Sequence, residues 1–310
     1  MEIPITISII IPFNSPEDGL NRTLQSISQE DYPTLELVLV KMGDLSSLPS
    51  IPQSLTCLQL SITDRNWLQA VEAGVRKASG NLIAIFQPGT QLNPGCLKEV
   101  ASAFYKSPDL NVLVGRTRCF DSEGNEFGLE HPGSFRSHVC LLQIWRNDPP
   151  PICAVYARTS VFRRLDYLQR VFSERWNGYN ILCMISQNEN IVPVKTFVAE
   201  YSLLPDDILL TRAQEINEAV QISRQYWGST RSAIYWLVKL AFLDNKMNRK
   251  GRAQTLLHEA NRRSKQSKRF SAIMNFLEAS FLAPEVVFTT SVFPFFRDHF
   301  LRKIFKLFPV

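Results

Sequence analysis

The chain opens with a β-branched apolar stretch, Ile3 to Phe13, of the kind that forms a strand covered on both faces in a parallel sheet. Ser15 then offers an N-cap, Pro16 suits the first helical position and Asp18 completes a capping-box spacing, which predicts a helix to about Gln29. The alternation continues. Leu35 to Val40 and Thr56 to Ile62 read as strands, and Asp64 caps a helix whose apolar positions are Leu68, Val71, Val75 and Ala78, with Gly80 ending it. Asn81 to Phe86 is a fourth strand, Asn93 and Pro94 open a helix to about Tyr105, and Leu110 to Phe120 returns as a strand before the turn Asp121 to Asn125. Strand and helix alternating in this way predict an α/β domain on a mostly parallel sheet, with a ligand at the carboxyl ends of the strands. The ends of the second and fourth strands are expected to be adjacent.

Beyond Pro149 the pattern is mixed, with a short strand at Ile152 to Ala157, a helix near Tyr179 to Ser186 and a strand at Ile191 to Ala199. After Pro205 it turns helical. The periodic stretches include Ile216 to Tyr226, Ile234 to Phe242, Ala253 to Ala260 and Phe270 to Phe281. The expected organisation is an α/β domain over residues 1–206 and a helical domain over 207–310, reasonable for 310 residues at roughly 150 per domain.

Charge alters this picture in one region. The chain carries 34 Lys plus Arg against 29 Asp plus Glu, a net +5 that is too mild to indicate nucleic acid. Between Lys246 and Arg269, however, nine basic residues face a single acid, Glu259, so any anionic partner is expected there. Near the end, Arg297 to Phe308 sets Phe300, Ile304 and Phe308 on one helical stripe among Arg302, Lys303 and Lys306, which suits either an anionic membrane surface or a docked terminal helix. No apolar run approaches the ~20 residues of a membrane span, and the N-terminus reads as a strand and not a signal peptide. Six cysteines without CxxC spacing and four histidines without metal-binding spacing are expected to be reduced thiols and surface residues of a cytoplasmic protein.

Several segments, taken in order, resemble one family. These are SIIIPFN (Ser8 to Asn14), LQSISQEDYPTLELVLV (Leu24 to Val40), AGVRKASGNLIAIF (Ala73 to Phe86), LNPG (Leu92 to Gly95), VGRTRCFDSEGN (Val114 to Asn125) and PPICAVYARTSVFRRL (Pro150 to Leu165). Together they are similar to the family 2 glycosyltransferases of the GT-A fold, over about two thirds of the chain. The resemblance implies transfer of a sugar from a nucleotide diphosphate sugar to an acceptor hydroxyl, usually with inversion. On the matching positions it implies nucleotide-sugar contacts at Pro12, Asn14, Lys41, Gly43, Arg65, Gln87 and Arg158, with a glycan or lipid-linked acceptor.

Such chemistry asks for an acid on the nucleobase, a carboxylate pair holding Mg²⁺ or Mn²⁺ against the diphosphate, and a carboxylate base. The sequence departs from the family at all three. KMGD (Lys41 to Asp44) stands where the family has DDGS, FQPGT (Phe86 to Thr90) where it has LDSDD, and Gly178 and Asn180 where its catalytic helix begins. No metal ligand is therefore assigned, although the family uses Mg²⁺ or Mn²⁺. Two readings follow: a metal-independent transferase with Lys41, Arg65 or Arg158 opposite the diphosphate and Asp166, Glu174 or Asp206 as base, or a catalytically silent domain that binds a protein partner. Lys41 also reads as a solvated strand-end lysine, and Gln87 to Thr90 as an ordinary turn.

Overall fold

The computed structural model describes residues 5–14, 18–43, 49, 51–52, 55–120, 138–142, 149–167, 176–202, 221–222, 225–226, 249, 253–254, 256–257, 259–260, 263 and 269–284. The chain divides into two compact units: residues 1–118, 130–202 and 219–226, and residues 119–129, 203–218 and 227–310. The expected boundary at 206, the acid Glu174 and the basic tail from Arg297 lie outside the described residues.

The first unit is organised on β1 (Ile7–Phe13), whose seven residues are all buried. Full burial is the reason its sequence is a continuous apolar run and not an alternating one. β1 pairs in parallel with β2 (Leu35–Met42) on one side and β4 (Leu82–Ile85) on the other, and β2 pairs in parallel with β3 (Cys57–Ile62). The ends of the second and fourth strands therefore flank β1 and do not touch. The chain crosses from β3 over to the far side of β1, which puts the switch in strand order between β1 and β4, the place where α/β sheets open a ligand crevice.

Pro12 marks where that crevice opens. Phe86 donates its N–H to the Ile10 carbonyl at 2.9 Å, so even-numbered residues of β1 direct their backbone groups toward β4. The next N–H in this ladder would come from residue 12, and proline has none. The β1–β4 ladder stops there, and the following turn, Gln87 to Thr90, leaves the sheet.

Beyond β4 the sheet becomes mixed. Its full order is β3-β2-β1-β4-β7-β6-β8-β5, with β5 at Gln91–Leu92, β6 at Val112–Phe120, β7 at Val155–Arg158 and β8 at Ile191–Ser202. β7 runs antiparallel to both β4 and β6, and β5 is antiparallel to β8.

Helices cover the sheet. α1 (Asp18–Ser28) buries Leu20, Leu24 and Ile27, spaced for one helical face. α2 (Trp67–Lys77) is capped by Asn66, whose side chain accepts from the N–H groups of Leu68 at 2.9 Å and Gln69 at 3.3 Å. The predicted cap, Asp64, instead accepts from the Asn66 N–H and shapes the turn before it. α2 lies close to the sheet because Gly74 has no side chain: a β-carbon there would stand 2.5 Å from Ile10 Cγ2. α3 (Cys96–Lys106) packs against β8, and α4 (His138–Leu142), α5 (Thr159–Arg163) and α6 (Asn177–Ser186) are further helices of this unit. In the second unit, α7 (Arg269–Leu282) packs Ala279, Phe276 and Leu282 with Ala283 against Ala253, Leu256 and Leu257. Among the described residues, no helix is long and apolar enough to cross a membrane.

Candidate functional site

At the carboxyl end of β2 the chain turns through Gly43, at φ +71° in the left-handed region that favours glycine. Its N–H donates to the Ile62 carbonyl at 2.9 Å, tying the end of β2 to that of β3. The exposed Arg65 leans over this turn, since a β-carbon on Gly43 would lie 3.0 Å from Arg65 Nε and 3.2 Å from its Cγ. Two residues earlier, half-buried Lys41 sits in register between Phe13 of β1 and Ser61 of β3. The exposed Asn14 follows β1 directly. Asn14, Lys41, Gly43 and Arg65 thus share one edge of the sheet.

The turn after β4 faces the same edge. The Thr90 N–H donates to the Gln87 carbonyl at 3.0 Å, with Pro88 and Gly89 (φ +97°) between them, the residue pattern of a type II turn. Gln87 and Pro88 are exposed while Thr90 is buried. The turn is fixed to α1, because the Gly89 N–H meets both the Gly19 carbonyl and Thr23 Oγ1 at 2.9 Å and the Leu92 N–H donates to Ser26 Oγ at 3.2 Å.

Two further cations lie on β6. β7 sets Ala84 opposite Tyr156 and Leu113 opposite Tyr156 in turn, so β6 runs in the direction of β4, and continuing that register brings Arg116 level with Gln87. The guanidinium carbons of Arg116 and Arg118 lie 4.4 and 4.7 Å from the centre of the Phe197 ring. Arg118 also pairs with Glu200 at 3.4 Å. Stacking on one ring holds two like charges in place.

Arg158 belongs elsewhere. It pairs with Leu82 at the first residue of β4, about 16 Å along the strand from Gln87. There its Nε donates to the Leu110 carbonyl at 2.9 Å and a terminal nitrogen to the Pro108 carbonyl at 2.8 Å, so it braces the loop before β6 at the opposite edge.

Residues 8–170 match the family model described as glycosyl transferase family 2. The chain belongs to that family. Among solved structures it is similar to S. aureus TarS 1-349, at 15% identity over 89% of this chain and 91% of that one, with a TM-score of 0.49. The same TarS fragment in complex with UDP-GlcNAc gives 13% identity over the same shares and a TM-score of 0.48. Against the longer crystallised TarS chain the identity is 16%, over 89% of this chain and 55% of that one, with a TM-score of 0.47. No curated protein sequence gives a significant match.

In this family 2 domain α6 is buried at every position, Asn177 to Ser186. Asn180 is 1% exposed and accepts at Oδ1 from the Tyr226 hydroxyl at 2.5 Å. The Tyr226 carbonyl lies 3.2 Å from His138 Nε2, and His138 Nδ1 lies 2.7 Å from Ser186 Oγ, so α4 and residue 226 are both fastened to α6. Burial raises the Tyr226 phenol above its ordinary range, with the charges of Cys183 and Asp166 adding to the shift. Asp166, itself exposed, therefore lies within electrostatic reach of Tyr226. Among the described residues no group of three His, Cys, Asp or Glu side chains is placed to hold a metal ion.

Arg116 and Arg118 were legible only as alternate polar positions of a half-covered strand. What marks them is the register through β7, which no local spacing in the sequence reveals.

Proposed function

We propose that this family 2 domain binds a nucleotide diphosphate sugar at the carboxyl edge of its sheet, with Lys41, Arg65, Arg116 and Arg118 opposite the diphosphate. The observations that support the reading are cations on both sides of the β4 turn: Lys41 at the end of β2 with Arg65 over Gly43 on one side, and Arg116 and Arg118 of β6, stacked on Phe197, on the other. Guanidinium groups donate charge-assisted, often bidentate hydrogen bonds to phosphate oxygens, and so do part of what a divalent cation does in compensating charge.

Mg²⁺ and Mn²⁺ call for carboxylate oxygens, whereas the β4 turn offers an exposed amide at Gln87 and a buried hydroxyl at Thr90. These donors do not fit a hard divalent ion, and the proposed chemistry uses none. The exposed Asn14, just past β1, and the Gly43 turn beneath Arg65 would lie on the nucleoside side of that donor. In the transfer reading, Asp166 or Glu174 takes the proton of the acceptor hydroxyl, the acceptor being a glycan, free or lipid-linked, and the protein is cytoplasmic, at the inner membrane face. A second reading is favoured by α6: with Asn180 buried on Tyr226 and no acid in that helix, the domain binds without transferring, as a scaffold for a protein partner.

Calorimetric titration with UDP, GDP and dTDP sugars, in EDTA and in Mn²⁺, tests the donor site. Binding of one donor in EDTA with release of free nucleoside diphosphate on adding acceptor supports transfer; binding without turnover supports the silent reading. Absence of binding to every donor overturns both uses of the edge.

A further inference from the structure

α7 has two apolar faces and, among the described residues, a core against only one. Ala272, Ala279 and Ala283 are buried, with Phe276 and Leu282 packed beside them. On the other side Phe270 is 77% exposed, Met274 50%, Leu277 45% and Phe281 85%. At 3.6 residues per turn these four fall within an arc of about 60°, a continuous stripe along the whole helix. Isolated exposed hydrophobics need no explanation, but a stripe of four with two nearly bare phenylalanines does.

We propose that this stripe docks the second unit on an anionic membrane surface. The sequence feeding directly into Phe270 is the most basic of the chain: nine Lys and Arg and one acid from Lys246 to Arg269, with Lys265, Lys268 and Arg269 in the last five positions. Part of that charge has an internal role, since Arg263 pairs with Glu259 and Arg249 donates to the Leu282 carbonyl at 3.1 Å. On α7 itself the charged residues are Arg269 and Glu278. An apolar stripe of Phe, Leu and Met with bases at its entrance is the make-up of a helix lying in a lipid interface, where the rings enter the acyl boundary and the bases meet anionic headgroups. A second copy of the chain is the poorer occupant, because pairing two such stripes brings two strongly basic segments together. The inference stands independently of the donor site.

The test is co-sedimentation of the full chain with vesicles of phosphatidylcholine alone or with 30% phosphatidylglycerol, at low and high salt. Binding is expected only to the anionic vesicles, falling at least tenfold when screening shortens at high salt. Phe270→Ser with Phe281→Ser, both at exposed positions, should lower it at least tenfold with the circular dichroism spectrum unchanged, and Lys265→Glu with Lys268→Glu should do the same while leaving the stripe intact. Equal binding to neutral vesicles, unaltered binding by both double variants, or loss only on Phe300→Ser with Phe308→Ser would overturn the proposal. So would a dimer in solution that the Phe270 and Phe281 substitutions dissociate.

Discussion

Gly43 holds its left-handed backbone directly beneath Arg65, so closely that a β-carbon at residue 43 would stand 3.0 Å from the Arg65 Nε. The glycine therefore serves two purposes at once: it permits the turn that ends β2, and it lets a cation lie over that turn at the edge of the sheet.

Gly43→Ala should reveal both. An L-residue in the left-handed region costs roughly 1–2 kcal/mol, and the new methyl group must also displace the Arg65 side chain. Urea unfolding should show the stability loss, and donor affinity should fall with it. Arg65→Ala should reduce affinity alone, leaving the unfolding midpoint within experimental error, since the side chain is exposed.

The β4 turn makes a second comparison. Gln87 is exposed, so Gln87→Asp should change stability by less than about 0.5 kcal/mol. Gly89 has open space around it, but its φ of +97° lies where side-chain-bearing residues are strained, and Gly89→Asp should cost about 1–3 kcal/mol. Thermal unfolding of the two variants separates them. Installing an acid at 87 is thus the practical way to ask whether a carboxylate at this turn creates Mn²⁺-dependent nucleotide binding.

At the opposite edge Glu36 governs a pH dependence. Burial alone would raise its carboxyl, but hydrogen bonds from the Ser8 and Ser79 side chains and the Ser79 and Gly80 backbone outweigh that and hold it below the ordinary glutamate value. Ser79 donates from both N–H and Oγ at 2.8 Å. A carboxyl depressed in the folded state contributes stability that is fully present above its unfolded pKa and is lost as pH falls through the folded one. Urea midpoints measured downward from neutral pH should therefore drop in the acid range below the ordinary glutamate value. Glu36→Gln should be less stable at pH 7 and show a shallower acid loss.

These elements differ in how far the sequence announces them. β1, β2 and α2 were legible because burial pattern and chain pattern coincide: Ile9 to Ile11 is apolar since both faces are covered, and Leu68, Val71 and Val75 mark one helical face. The cap of α2 was read two residues early because Asp64 and Asn66 both have cap chemistry, and only Asn66 has the geometry. β5 is two residues long, too short for any period, and the antiparallel half of the sheet is set by β7, which runs back along β4 from Ala84 to Leu82, a direction that no local signal gives. Of the positions that the family resemblance implies, Asn14, Lys41, Gly43, Arg65 and Gln87 lie at or just beyond the carboxyl ends of β1 to β4. Arg158 was misplaced because β7 runs backwards, so its carboxyl end lies at the other edge. The same reversal makes β6, which carries Arg116 and Arg118, run in the direction of β4.

The claim that Lys41, Arg65, Arg116 and Arg118 compensate a diphosphate without a divalent cation is tested most directly by one titration. UDP, GDP and dTDP sugars are added to the unmodified protein and to Arg65→Ala and Arg116→Ala, each in EDTA and then in Mn²⁺. One donor should bind the unmodified protein equally in both buffers, and each substitution should weaken it about tenfold or more, as loss of a charge-assisted hydrogen bond of about 1.5–3 kcal/mol implies. Binding that appears only with Mn²⁺, or binding in EDTA that neither substitution alters, would contradict it.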